Sequence, residues 1–339
     1  MHDEAMERAA PGPTLDIPEA WERSVALILQ HRWRVILVLG AMDRGKSTYC
    51  RFLSRQLLTA GATVAFVDAD VGQKDLGPPA TLTLGYLDAT HPEAPLHPAA
   101  WYFVGATTPA RHLLPVVLGT QRLVHRARAA HVIINTTGFV HGVGRILKGY
   151  KIDAVQPDVI VALERGRELA TLLAAYRHYR LLRLPPSPRA TEKSPQQRRE
   201  ARERAFGIYF AAAHDVVLPW RHLIIQGCTL LTGTRVAHDS FSYAARTSEG
   251  LMAVAAGGST LRPGYTVLPV GFERHLLCGV AGQRGHGLGL AILQGLDFAR
   301  ETVVLWTPVS VERIKILQFG DLYVHPDGRE LGHDVPRGL

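Results

Sequence analysis

The chain has 339 residues, 47% hydrophobic and 20% charged, with a mean hydropathy of +0.03, which allows two domains with real cores and excludes a chain dominated by disorder. Its formal net charge is +8, carried by 32 arginines and only 6 lysines, and arginine forks suit phosphates. The three cysteines (Cys50, Cys228 and Cys278) are widely separated, which excludes a disulfide framework and a cysteine-built zinc site. Asp16 is expected to cap a short first helix with Pro18 in its first turn and Ile17, Trp21, Val25 and Leu29 as its apolar stripe. A continuous apolar strand follows at Val35–Leu39, then glycine-rich sequence and a helix from Lys46 to about Ala60. Further strands are expected at Val64–Val67, Trp101–Val104, His131–Asn135 and Val159–Leu163, separated by helices such as Ala110–Ala130 and Gly142–Ile152. Apolar strands alternating with helices indicate a parallel sheet covered on both faces. Past Pro219, short β-like pieces at Leu223–Ile225, Met252–Ala255, Thr266–Pro269, Thr302–Trp306 and Leu322–His325 are broken by glycines, so a second, mostly β domain is expected.

No stretch approaches the ~18 continuous apolar residues of a membrane span, and residues 1–13 carry Asp3, Glu4 and Glu7 without an apolar run. The expectation is therefore no membrane, no secretory signal and a cytoplasmic location. Charge is concentrated between Arg177 and Arg204, where nine basic residues face three acidic ones, a run that is either a solvated face or a phosphate-tracking one.

The chemistry-bearing motif is Gly40-Ala-Met-Asp43-Arg44-Gly45-Lys46-Ser47-Thr48, which fits G-x-x-x-x-G-K-S/T directly after a buried strand and directly before a helix. In that context backbone N–H groups and the helix N-terminus cradle phosphates, Lys46 reaches the terminal ones, and the Ser47 hydroxyl coordinates magnesium. The next strand ends in Asp68-Ala-Asp70-Val-Gly-Gln73, two carboxylates at the C-terminal edge of the sheet. One of them should hold Mg²⁺ or take a proton from an attacking hydroxyl, and Asp70 is favoured for that work on the expectation that the two side chains point in opposite directions. Asn135-Thr136-Thr137-Gly138-Phe139 leaves another buried strand at the same edge. The expected fold class is α/β, a P-loop NTPase-type parallel sheet covered by helices, with the mostly β domain after it.

Together, the P-loop, the Asp-x-Asp-Val-Gly-Gln73 segment, Asn135-Thr-x-Gly-Phe139 and the arginine-rich helix before Tyr209-Phe210 resemble the polynucleotide 5′-hydroxyl kinase family, as represented by smaller prokaryotic relatives of the eukaryotic mRNA 3′-end and rRNA processing kinases. The resemblance divides the chain into a tail at 1–16, a kinase domain at 17–216 with an arginine-rich lid near 193–210, and a C-terminal domain at 217–339. It implies transfer of an ATP (or other NTP) γ-phosphate, with Mg²⁺, to the 5′-OH end of RNA and/or DNA. By the same resemblance Asp70 activates the 5′-hydroxyl, Gln73 closes its motif, and Thr136 and Gly138 belong to a clasp on the nucleic acid end. The clasp's aromatic is Phe139 where eukaryotic members carry tryptophan. The lid arginines meet the transferring phosphate in one of two registers, Arg198-x-x-x-Arg202 or Arg199-x-x-Arg202. Two other functions stay open on the residues alone: a P-loop switch ATPase or GTPase acting on a protein partner, and a non-catalytic adaptor that keeps a nucleotide as a structural ligand.

Overall fold

The structure, a computed structural model, describes residues 17–88, 96–188, 190–257, 260–262 and 264–333. Asp16, the expected helix cap, and Arg189 lie outside the described residues, and Pro18 occupies the N-cap of α1 (Glu19–His31). After it come β1 (Val35–Gly40), α2 (Lys46–Thr59), β2 (Val64–Ala69), β3 (Thr81–Tyr86), β4 (Pro98–Phe103), α3 (Leu113–Arg126), β5 (His131–Thr136), α4 (Val143–Val155), β6 (Val159–Leu163), α5 (Ala170–Ala175), β7 (Leu181–Leu184) and α6 (Pro195–Phe210). The strands form one seven-stranded sheet in the order β4-β3-β2-β5-β1-β6-β7.

Strands β2, β5, β1 and β6 are mutually parallel, as the continuous apolar runs predict, and β7, a strand not among those expected, pairs parallel with β6. Alternate residues of β1 feed two cores: Val35, Leu37 and Leu39 meet Val116, Leu123 and Leu147 of α3 and α4, while Ile36 and Val38 meet Trp21, Tyr49 and Leu53 of α1 and α2. The sheet also contains β3, a strand not among those expected, which runs antiparallel between β2 and β4. The physical reason is the connection: residues 70–80 carry no helix, and a parallel return would need a longer crossover. Helix α3 is also shorter at both ends than the Ala110–Ala130 expected.

The C-terminal strands are β8 (His214–Pro219), β9 (Ile224–Gln226), β10 (Thr234–Arg235), β11 (Tyr243–Thr247), β12 (Gly250–Ala255), β13 (Thr260–Arg262), β14 (Tyr265–Pro269), β15 (Leu276–Ala281), β16 (Gly287–Asp297), β17 (Thr302–Thr307), β18 (Ile316–Val324) and β19 (Glu330–Gly332). They build a five-stranded sheet, β10-β11-β12-β14-β13, and a sheet in the order β19-β18-β15-β16-β17-β8 with β9 alongside β18. Trp220, Leu230, Val254, Leu268, Leu276, Leu293, Leu305 and Leu317 share the core of these sheets. Pairing with this domain begins at His214, opposite Thr307.

Helix α6 joins the two halves. Its start has a strong local signal: Ser194 accepts from the Gln197 N–H, the Gln197 side chain returns to the Ser194 N–H, and Pro195 opens the first turn. Its last turns carry Phe206 and Phe210, both buried against Leu277, Leu290, Ile292, Leu322 and Val324 of the C-terminal domain and Ala80 of the first. The Leu290 N–H donates to the Tyr209 hydroxyl at 2.7 Å. The Trp101-Tyr102-Phe103 run is core and interface: Phe103 packs where a Cβ on Gly279 would sit, and Trp101 meets Tyr209 edge-on at 6.0 Å.

Candidate nucleotide and acceptor site

At the C-terminal ends of the parallel strands lies a cavity of about 370 Å³. Gly40 ends β1 beside Leu163 of β6, and the chain then turns through Ala41–Gly45 into α2. Gly45 takes φ +72° at the N-cap of α2, a left-handed conformation glycine adopts without the Cβ penalty. With Gly45 there, the first N–H groups of α2 open toward the cavity as an anion cradle. Met42, Asp43, Gly45, Lys46, Ser47 and Thr48 line that side. Lys46 is only 8% exposed, and its ammonium donates to the Ala41 carbonyl at 2.7 Å. Burial pulls its pKa below the usual lysine value, with the Asp70 charge acting in the opposite sense.

The two carboxylates after β2 have different surroundings. Asp68 is fully buried and accepts from the Asp75 and Leu76 N–H groups at 2.7 and 3.0 Å, with the Lys74 ammonium 3.4 Å away. Burial pushes its carboxyl up to about 6, against the pull of Lys74. It holds the 70–76 loop together. Asp70 lines the cavity, and its Oδ1 accepts from the Gly72 and Gln73 N–H groups at 2.9 and 3.1 Å. The Gln73 amide lines the same cavity and donates to the Arg198 carbonyl at 3.2 Å.

From β5, Asn135 reaches across to Ser47, its Nδ2 donating to Oγ at 3.4 Å, while its Oδ1 is buried with no hydrogen-bond partner among the described residues. Thr137 and Gly138 line the cavity as well. Thr136 does not: it is fully buried, and its hydroxyl donates to the Val38 carbonyl at 2.8 Å. Strand alternation turns Thr136 into the sheet and leaves its neighbours toward the cavity. Gly138 is pressed onto the P-loop, since a Cβ there would lie 2.6 Å from the backbone of Met42. Phe139 packs against the first core and against Gly144.

The last wall comes from residues 190–202. Lys193, Arg198 and Arg202 line the cavity. Arg198 pairs with Asp43, whose carboxylate also accepts from the Lys193 N–H at 3.2 Å. Arg198 and Arg202, four apart on α6, share the cavity face, whereas Arg199 bonds Glu203 at 2.9 Å and the Glu330 carbonyl at 2.7 Å. Arg44 likewise turns away from the cavity and donates to Glu168 at 2.8 Å. Of the more remote arginines, Arg183 pairs with Glu164, and Arg177 and Arg180 are exposed.

Two buried lysines behind the cavity had no counterpart in the sequence reading. Lys148 and Lys151 of α4 are fully buried; the first donates to the Thr137 carbonyl at 2.5 Å and the second to the Ala69 carbonyl at 3.4 Å. Burial lowers Lys148 well below its ordinary value and brings Lys151 down to about 7. Glu330, which grips Arg202, was also unforeseen. A lysine three residues from another lysine on a helix gives no signal that both point inward.

A glycine-rich strand-to-helix turn with Lys46 and Ser47, an aspartate on the neighbouring strand and a basic helix across the cavity define a P-loop nucleotide-binding protein of the doubly wound α/β class. Residues 40–212 match the family described as mRNA cleavage and polyadenylation factor CLP1 P-loop. A polyribonucleotide 5′-hydroxyl-kinase of Pyrococcus furiosus is 33% identical, the match covering 94% of this chain and 96% of that protein. Its namesake in Methanocaldococcus jannaschii is 30% identical over 94% and 95%. The polyribonucleotide 5′-hydroxyl-kinase Clp1 of Xenopus laevis is 32% identical across 54% of this chain and 45% of its own length. Among solved structures, the wild-type Clp1p–Pcf11p complex superposes with a TM-score of 0.60 at 11% identity, covering 89% of this chain and 78% of the other, a likeness of fold. The chain belongs to the CLP1 P-loop family. No helix among the described residues is long and apolar enough to cross a membrane.

Proposed function

We propose that this chain is a polynucleotide 5′-hydroxyl kinase that transfers the γ-phosphate of ATP to the 5′-OH end of RNA. The observation that carries the reading is that one cavity gathers the P-loop, a carboxylate beside it and an opposing basic wall, so that donor, base and charge stabilisation converge on one point. The names of relatives that span nearly the whole chain support the same activity and favour RNA as the acceptor.

Mg²⁺ fits the residues present, because the Ser47 hydroxyl, the Asp70 carboxylate and the unpartnered Asn135 Oδ1 are hard oxygen donors grouped at this edge. When bound with the nucleotide it would offset charge on the phosphate oxygens. The chain's own residues do the rest. The α2 N-terminus and Lys46 hold the phosphates. Asp70 accepts the proton of the 5′-hydroxyl as its oxygen bonds to the γ-phosphorus and the bond to the β-phosphate oxygen breaks, and Arg198 and Arg202 meet the charge that spreads over the transferring group. Gln73 and the Thr137-Gly138 turn flank the acceptor.

The test is incubation with γ-labelled ATP, Mg²⁺ and matched 5′-OH RNA and DNA oligonucleotides. Label on the RNA 5′ end is the expected result. Nucleotide hydrolysis with label on neither oligonucleotide would point instead to a switch acting on a protein partner.

A further inference from the structure

Arg202 enters the cavity from α6, but its orientation is set from elsewhere. Its Nε and Nη2 donate to Oε1 and Oε2 of Glu330 at 2.6 and 2.8 Å, a two-point fork on a carboxylate that belongs to β19, the last strand of the C-terminal domain. Glu330 is 8% exposed. Its own backbone is held on both sides by α6: the N–H donates to Glu203 Oε1 at 3.1 Å, and the carbonyl accepts from Arg199 Nη2 at 2.7 Å. Just before it, Gly328 lies so close to α6 that a Cβ would meet the Glu203 carbonyl and the Gly207 nitrogen at 2.4 Å. The hairpin is thus fixed to the helix by its backbone before the Glu330 side chain acts.

A nearly buried ion pair is a poor source of stability, since desolvating both charges offsets most of their attraction. Its geometric effect is larger. A guanidinium has five N–H donors in one plane, so a carboxylate that takes one edge fixes where the remaining donors point.

We propose that Glu330 is a positioning residue for phosphoryl transfer, presenting Arg202 to the nucleotide cavity so that the C-terminal domain completes the lid side of the active site. The inference rests on the kinase reading and on Arg202 as a phosphate-facing group within it. It gives the C-terminal domain a part in the reaction through one carboxylate 128 residues along the chain from its partner.

The experiment compares full-length parent, Glu330→Gln, Glu330→Asp, Arg202→Ala and the Glu330→Gln/Arg202→Ala double variant in steady-state RNA phosphorylation, with melting temperatures alongside. Arg202→Ala should lower kcat. Glu330→Gln, which keeps the shape and loses the charge-assisted fork, should lower kcat by about 10- to 100-fold, the scale of an ångström-sized misplacement, with KM for ATP within about twofold. The double variant should be no slower than Arg202→Ala alone, because the two residues act as one unit. Glu330→Asp should recover part of the lost kcat, which a purely structural contact would not require. Should Glu330→Gln fail to fold, the aspartate variant carries the test through the same kcat-against-KM split. If Arg202→Ala is slow and Glu330→Gln retains full or raised kcat, positioning is overturned, a rise meaning that the pair restrains Arg202. If Arg202→Ala phosphorylates RNA as the parent does, the failure lies in the role given to Arg202, and the inference falls with it.

Discussion

The two walls of the nucleotide cavity are built by different means. The wall made by the P-loop, Asp70 and the 135–138 turn consists of short loops leaving buried parallel strands, fixed by backbone hydrogen bonds, by buried Asp68 and by the two lysines beneath it. The facing wall stands on α6, and its arginines are held by two carboxylates, Asp43 from the P-loop and Glu330 from the far end of the chain. Backbone-built geometry tolerates loss of a side chain but not an added Cβ. Geometry held by ion pairs depends on single charged groups, so the two walls should fail differently under mutation.

The largest effect belongs to Lys46→Ala, which should reduce RNA 5′-phosphorylation to background, because Lys46 is the one cationic side chain among the described residues by which the first wall lines the cavity. Its melting temperature should stay within a few degrees of the parent. The ammonium is desolvated and its main contact is one carbonyl of its own loop, so little stability leaves with it. Residual phosphorylation at a substantial level would remove Lys46 from the phosphate site.

Next is a separation within the first wall. Asp70→Asn should lower kcat by about 10²- to 10⁴-fold, the range for a general acid–base group, and leave ATP binding nearly unchanged. Asp68→Asn should instead lower the melting temperature, since Asp68 ties Asp75 and Leu76 to the loop and pairs with Lys74. Kinetics and melting curves on the two variants would reverse these assignments if Asp68→Asn were the slower and equally stable enzyme.

A smaller effect is expected from Gly138→Ala, which probes the backbone directly. The new methyl group would press on Met42 N and Cα at 2.6 Å and push the P-loop outward, at a cost of about 1–3 kcal/mol. A raised KM for ATP with a lowered melting temperature is the expected pair of readings. An unchanged enzyme would mean that the 138 turn gives way and the first wall is softer than its hydrogen bonds indicate.

The first wall was also the legible one. A P-loop is a contiguous string whose glycine spacing and strand-to-helix context carry its chemistry. Opposite side-chain directions do not separate Asp70 from Asp68, because residues two apart on a strand share a face; β2 ends at Ala69, which leaves Asp68 buried under the 70–76 loop and Asp70 at the cavity. Thr136 shows the limit of that reasoning: the motif includes it, yet strand alternation buries its hydroxyl on Val38. The facing wall was half legible. The composition of α6 announced a basic helix with a capped start, but both arginine registers fit the string. Only packing of Phe206 and Phe210 into the C-terminal domain rotates Arg198 and Arg202 to the cavity and Arg199 to the hairpin. Glu330 had no local signal, because its significance lies in a contact between distant parts of the chain. Strand β3 was not expected at all, and its antiparallel direction is decided by connection length, not strand composition.

The smallest effect lies behind the first wall, at Lys151. Burial draws its ammonium from 10.5 down to about 7, while the charges of Asp70 and Asp68 pull the other way. Between those two values the folded chain has released a proton that the unfolded chain retains, so this group makes stability rise with pH across that window. Asp68 has the opposite sign in a separate window: with its carboxyl raised to about 6, the folded chain keeps a proton that the unfolded chain has lost from about pH 4 upward, and its contribution declines as pH climbs to 6. Lys148 shares the sign of Lys151, but burial, the larger cause of its lowering, persists when Lys151 is replaced. In Lys151→Met, the rise in stability from pH 7 to pH 9.5 should therefore be shallower than in the parent, by up to about 1.4 kcal/mol per pH unit, the linkage slope of one proton. Denaturant melts of both proteins at pH 7, 8 and 9.5 read this difference directly. Parallel stability curves would mean that Lys151 stays charged in the fold, so that the Ala69 carbonyl is held by a full ammonium and the first wall carries a buried cation at neutral pH.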